Sequence, residues 1–405
     1  MNNLERWIKI ALTNLSIVAL LGLTLRSKMI FSLPFITFQY VLHAHSHFAF
    51  GGWVTIALLS LMTFRIIKPE GSKRRLYNII ISIILFNAYG MLFSFPLQGY
   101  AFYSILFSSL FIFSTYFYTY IFLRDLKKVN AAKSVKLLSG ASVFYLALSS
   151  VGAFTLAYLM VTRSKDVYFY KDAVYTYLHL QYSGFFSLAV MALMLQYAQV
   201  ENKATRAFSR ILNVTVIPAM FMSYLWHYPH NVIRTIAYMG SFLTVCSLVS
   251  FLIMMASLKP HLEHIQPIVK RIAFIATVAF GLKMFFQSLT IIPALGPLVF
   301  SNRPVIIGFL HLVLLGFVTL YLLAYFIQIN LISPKGASGA ALAVFIFGVL
   351  LNEVVLFMQG LGFMFMLSSG IVNWLLLTAA ILLFTGALVV SLIHWIKRPT
   401  KLLYS

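Results

Sequence analysis

Apolar residues in this chain collect into twelve long runs separated by short polar breaks. The runs are Ile8–Leu25, Tyr40–Phe64, Tyr77–Phe95, Phe102–Leu123, Ala141–Val161, Val174–Tyr197, Ile211–His227, Val232–Met255, Ile272–Ile291, Val305–Ile329, Ala340–Leu361 and Ile371–His394. A helix needs roughly 20 such residues to cross about 30 Å of hydrocarbon, and these runs have about that length. The pattern therefore predicts an all-α polytopic membrane protein, twelve transmembrane helices in a single domain over 1–405. Only YPHN divides the seventh run from the eighth. Pro229 there breaks the helix and biases Tyr228 away from helical geometry, which places a turn at that point. The opening MNNLERWIK is polar and has no small-residue cleavage site, so the first run reads as a retained helix.

Composition supports the same class. The chain is 61% hydrophobic and 9% charged, more apolar surface than a soluble domain of 405 residues can hide. Its 30 Lys and Arg against 8 Asp and Glu give a net charge of +22. That excess would suit a nucleic-acid binder, but the cations sit in short loops between apolar runs. Loops after even-numbered spans carry 17, the others 7, with Arg234 at the mouth of the eighth span included. This is the positive-inside pattern. It predicts a cell inner membrane protein with both termini cytoplasmic and the loop around Asp166 outside, its partner the lipid bilayer and no nucleic acid. The single cysteine, Cys246, excludes an intrachain disulfide and a Cys-based metal site.

Candidate chemistry enters with ten histidines. On the predicted topology seven fall on the outer side: His43, His45 and His47 in HAHSHFAFGGW, His179 in HLQYSGFF, His227 and His230 in WHYPHN, and His311 in LHLVLLGF. At about 1.5 Å per residue all seven should lie within roughly 10 Å of the outer boundary. Taken singly, an interfacial histidine is more often a hydrogen-bonded side chain than a ligand. Gathered from several helices at one depth, they point to a metal or heme site. His43 and His47 are four apart and share a helix face, whereas His45 points nearly the opposite way. His261, His264 and His394 fall on the cytoplasmic side. Away from the ends of the spans the lone acid is Glu353 and the lone lysine Lys283, both functional candidates by the cost of burying charge and both equally compatible with a watery crevice. So few acids disfavour a carboxylate-rich metal site.

These residues resemble the heme–copper oxidase subunit I superfamily, in span number and in the helices that carry histidine. LHLVLLGF is similar to that family's tenth-helix motif, in which a histidine five residues before a glycine binds low-spin heme, here His311 and Gly316. HSHFAFGGW resembles the second-helix motif that supplies the opposite ligand, which implies His47 first, with His45 and His43 behind it. HLQYSGFF and WHYPHN resemble the segments holding copper, which implies His179, His227 and His230. NnrS-type membrane proteins, linked to nitric oxide tolerance, show a similar layout. Two departures stand out. The family's high-spin heme ligand would fall at Phe309, which cannot bind iron. GLKMFFQSL resembles the family's proton-channel lysine segment but lies on the ninth span instead of the eighth. The resemblance thus implies a subunit I-like bundle with b-type heme, copper as a second cofactor, and electron transfer or nitric oxide/oxygen chemistry with a degenerate high-spin site. An electron-donor protein or quinol would be its partner, and whether it is an enzyme stays open. The alternative is a cofactor-free proton-coupled transporter with the histidines as proton relays, a reading that Lys283 and Glu353 favour.

Overall fold

The computed structural model describes residues 3–227, 230–296, 299, 302–364 and 370–396. Among these, all regular elements are helical, and twelve are long and apolar enough to cross a membrane. They are α1 (Asn3–Lys28), α2 (Phe38–Ile67), α3 (Gly71–Gln98), α4 (Phe102–Leu126), α5 (Lys133–Val161), α6 (Val167–Ala198), α7 (Lys203–His227), α8 (Asn231–Leu262), α9 (Pro267–Leu289), α10 (Arg303–Gln328), α11 (Gly336–Gly362) and α12 (Ile371–Ile396). The protein is an all-α polytopic membrane bundle. The turn assigned to Tyr228 and Pro229 lies outside the described residues.

Short connections make neighbours in sequence neighbours in space, and α12 packs back on α1 to close the bundle. The outward surface is apolar, with Phe86, Phe93, Val161, Phe242 and Phe274 all more than half exposed. In hydrocarbon such a surface costs nothing, because the helices satisfy their own backbone groups. Helices α2 and α6 are different. Their apolar windows are 83% and 89% buried, so these two run through the interior.

Several helices outrun their apolar stretches, and at α6 the difference moves a histidine. Asp166 caps this helix, its Oδ1 accepting the Phe169 amide at 2.9 Å. Helix α6 thus starts at Val167, seven residues before the apolar run, with Tyr168, Phe169 and Tyr170 in its first turn. His179 consequently lies about 18 Å from the start of its helix, against the roughly 8 Å that the start of the apolar run implies.

Three of the histidine-bearing helices share a distortion. Helix α2 is π-wound over Ala49–Thr55 and again over Met62–Ile67, α6 over Leu180–Phe186 and α10 over Leu312–Thr319. Three of these stretches start just after His47, His179 or His311, and each contains a glycine five residues beyond that histidine: Gly52, Gly184 and Gly316. Widened turns leave carbonyls to other donors. Asn14 Nδ2 donates to Gly52 O at 2.6 Å, and Ser187 Oγ to Tyr182 O at 2.6 Å. Trp53 Nε1 donates to Thr319 Oγ1 at 3.0 Å, joining α2 to α10 at the level of their π turns.

Candidate functional site

Helix α2 sends its histidines to opposite sides, as their spacing requires. His43 and His47 face α3 and the turn that follows it. The His47 ring stacks on Phe95 with centroids 4.5 Å apart, and its Nε2 shares a 2.8 Å hydrogen bond with Tyr100 Oη. The His43 ring meets Tyr100 edge-on at 4.6 Å. Burial, and secondarily Tyr170, pushes the Tyr100 phenol up to about 12, so it stays protonated at neutral pH and either donates to or accepts from the His47 ring according to its tautomer. The Nε2 of His47 is thereby engaged, and the α2 histidine within electrostatic reach of His311 is His45.

His45 faces α1 instead. Its Nδ1 lies 3.1 Å from Val18 O, and its ring packs where a side chain on Gly22 would stand, Cε1 being 3.3 Å from the ideal Cβ position. Val18 and Gly22 are one turn apart on one face of α1, and Arg26 is the next residue on that face. His45, His311 and Arg26 lie within electrostatic reach of one another.

On α10, His311 Nδ1 lies 2.8 Å from Ile307 O. A carbonyl only accepts, so His45 and His311 must each carry hydrogen on Nδ1, which leaves the Nε2 lone pair free. Among the described residues neither Nε2 has a hydrogen-bond partner. This is the tautomer that iron-ligating imidazoles adopt, with the second nitrogen held by a backbone acceptor. The surrounding packing is also open. Arg303–His311, the N-terminal half of α10, contains no fully buried residue, whereas most of its C-terminal half from Val313 is buried. That N-terminal half leans on α11. Phe309 turns towards α6 and meets Tyr182 edge-on at 5.6 Å.

The proposed copper set does not assemble. Among the described residues no three His, Cys, Asp or Glu side chains lie close enough to hold one metal ion. His179 is fully buried with both nitrogens engaged, Nε2 at 2.9 Å from Val216 O and Nδ1 at 3.4 Å from Gln287 Nε2. Val216 precedes His227 by eleven residues, roughly 16 Å of helix. His227 Nε2 pairs with Asp172 Oδ2 at 2.9 Å, while Trp226 Nε1 donates to Oδ1 at 3.0 Å. His230 caps α8, its Nδ1 accepting the Val232 amide at 3.3 Å. As arranged, these three residues do not fit a copper ion. His179 ties the interior of α6 to α7 and α9, His227 ties the end of α7 to the start of α6, and His230 caps its own helix. Replacing His179 by leucine should therefore lower the thermal unfolding midpoint and leave bound copper per chain, read by elemental analysis, unchanged. A wild-type copper equivalent that the variant loses would contradict this.

Lys283 and Glu353 are held separately. Lys283 Nζ donates to Ser183 Oγ at 2.8 Å and lies 5.7 Å from the Tyr182 ring centre. Glu353 Oε1 accepts from Asn352 Nδ2 at 3.2 Å. No ion pair joins them among the described residues.

No protein-family model and no curated protein matches the chain. The fold defines the class, a multi-pass α-helical membrane protein, and function has to be argued from the histidines. Sequence reasoning missed the threefold His-x-x-x-x-Gly spacing, noted at His311 alone, although five residues is one π-helical repeat. Gly22 and Arg26 also escaped notice. Their signal was a four-residue interval on α1, visible once Val18 is known to face His45.

Proposed function

We propose that this chain is a heme-binding redox protein of the membrane, in which His45 on α2 and His311 on α10 hold one b-type heme from opposite faces. The observation that carries the reading is the pair of imidazoles on separate helices, each with Nδ1 on a carbonyl and Nε2 free, within reach of each other's charge. Arg26 and Arg303 extend the fit. Arg26 lies one turn outward of Gly22, and the Arg303 guanidinium sits 5.6 Å from the Phe38 ring at the outer end of α2. Neither has a carboxylate partner among the described residues, and both are placed to bind the acidic side chains of a porphyrin.

A heme held by two imidazoles supplies one-electron transfer and has no open position for substrate. The chain's own part is to fix both ring tautomers through Val18 and Ile307, and to surround the pair with apolar side chains. Phe309 offers no ligand for a second heme. Electron transfer therefore describes these residues better than oxygen reduction, with a quinol or a donor protein as partner. The resemblance to heme–copper oxidase subunit I supports the reading through its tenth-helix motif. It now enters with His45 in place of His47 and without the copper ligands. Heme extraction from the purified chain tests the reading. One b-type heme per chain is expected, and a heme-free, colourless protein would defeat it.

A proton-coupled transporter draws on a different observation, the buried Lys283 with a hydroxyl as its hydrogen-bonding oxygen partner. It accounts for Lys283 and leaves the matched tautomers of His45 and His311 without a role.

The positive-inside bias supports an inner-membrane location with cytoplasmic termini. Cysteines placed at Ser72, in the first turn of α3, and at Ser164, between α5 and α6, should react with impermeant maleimide from opposite sides, Ser72 from the cytoplasmic one. Labelling of both from one side would contradict the topology.

A further inference from the structure

We propose that a groove between the N-terminal ends of α1 and α3 binds the phosphate headgroup of an anionic phospholipid, with one acyl chain lying along α3. The groove is a cavity of about 560 Å³ lined at its polar end by Arg6, Arg74 and Arg75. Below them its lining passes to Ile79, Ile83 and Phe86. Arg75, Ile79, Ile83 and Phe86 recur at helical spacing, so one face of α3 runs from guanidinium to hydrocarbon over about three turns. The three apolar residues are 47%, 47% and 65% exposed, the condition of side chains that meet lipid tails.

Charge complementarity picks the ligand. Arg6, Arg74 and Arg75 have no carboxylate within ion-pair distance among the described residues. Arg74 uses Nε on Pro69 O at 3.1 Å, which turns its guanidinium at the start of α3 and leaves the terminal nitrogens available. The groove wall is fixed, because the buried Trp7 donates from Nε1 to Asn78 Oδ1 at 2.7 Å and ties α1 to α3. A second cavity at the same end of the bundle shows the contrast. It is lined by Lys68, Lys73 and Lys128 together with Glu70 and Asp125, and Lys73 already pairs with Asp125 at 3.7 Å. Two acids offset most of that charge, whereas the groove of Arg6, Arg74 and Arg75 has no acid in its lining. Unanswered arginines above an apolar stripe match an amphiphile with a phosphate at one end, which a free phosphate ion matches in part only.

Native mass spectrometry of the full chain, released from detergent with phosphatidylglycerol or phosphatidylcholine, tests the assignment. The chain should retain one phosphatidylglycerol about tenfold more than phosphatidylcholine. The triple variant Arg6→Gln, Arg74→Gln, Arg75→Gln should lose that preference. A control of equal charge loss, Lys127→Gln, Lys128→Gln, Lys133→Gln, should keep it, with all three proteins matched for unfolding midpoint. Equal retention of the two lipids would overturn the proposal, as would a preference that survives in the arginine variant or disappears equally in the lysine control. Displacement of phosphatidylglycerol by millimolar inorganic phosphate would overturn it in favour of a free-anion site.

Discussion

Replacing His311 by alanine is expected to abolish the low-spin heme spectrum of the purified protein, and replacing His45 should do the same. Each imidazole would help hold the heme, and the other two histidines of α2, His43 and His47, pack against Phe95 and Tyr100 instead. Heme content should fall by more than about tenfold, since even loss of a residue that merely orients a ligand costs that much. His47→Ala is the decisive comparison. That ring is engaged by Tyr100 and stacked on Phe95, so its removal should leave the spectrum in place. A His47 variant that loses the low-spin bands while the His45 variant keeps them would restore the motif-based assignment and reject the one drawn from contacts.

Valine at Gly184 is expected to destabilise the bundle by roughly 1–3 kcal/mol, the usual cost of overpacking a well-filled site. A Cβ there would lie 2.6 Å from Tyr145 Cβ and 2.8 Å from Tyr145 Cγ. These atoms are close to the α5 backbone, so the neighbour cannot swing away and the helices must part. Parting them strains two cross-helix bonds: Gln181 Nε2 donating to Ser149 Oγ at 2.9 Å, and Tyr145 Oη donating to Asn213 O at 3.1 Å. Gly281→Ala is the control, because its nearest contact would be Leu248 Cδ1 at 3.9 Å and a helix interior favours alanine. Thermal unfolding in detergent should show a lower midpoint for Gly184→Val and an equal or higher one for Gly281→Ala. Equal midpoints for the two variants would show that the π turn of α6 tolerates a side chain.

The twelve spans were legible because apolar length is set by the thickness of the bilayer, a constraint each span meets independently of the others. The position of His179 along its helix was not legible. Polar and aromatic residues from Val167 to Asp172 break the apolar run without breaking the helix, and a hydropathy boundary fell in its interior. The opposed directions of His43/His47 and His45 could be read from the 3.6-residue period. Which face meets α1 could not, since that depends on how α2 is rotated between α1 and α3. Short motifs placed WHYPHN among metal ligands. A single acid outside the apolar runs, Asp172, decides otherwise, because it lies on the extended start of α6 and claims both Trp226 and His227.

The central claim is that two neutral imidazoles, His45 and His311, hold a single heme. Electron paramagnetic resonance of the oxidised, purified wild-type protein at cryogenic temperature tests it most directly. A low-spin ferric signal of the bis-imidazole type, equal in amount to the protein chain and lost on reduction, is the expected result. A protein with no ferric signal, or with a high-spin signal alone, would contradict the account.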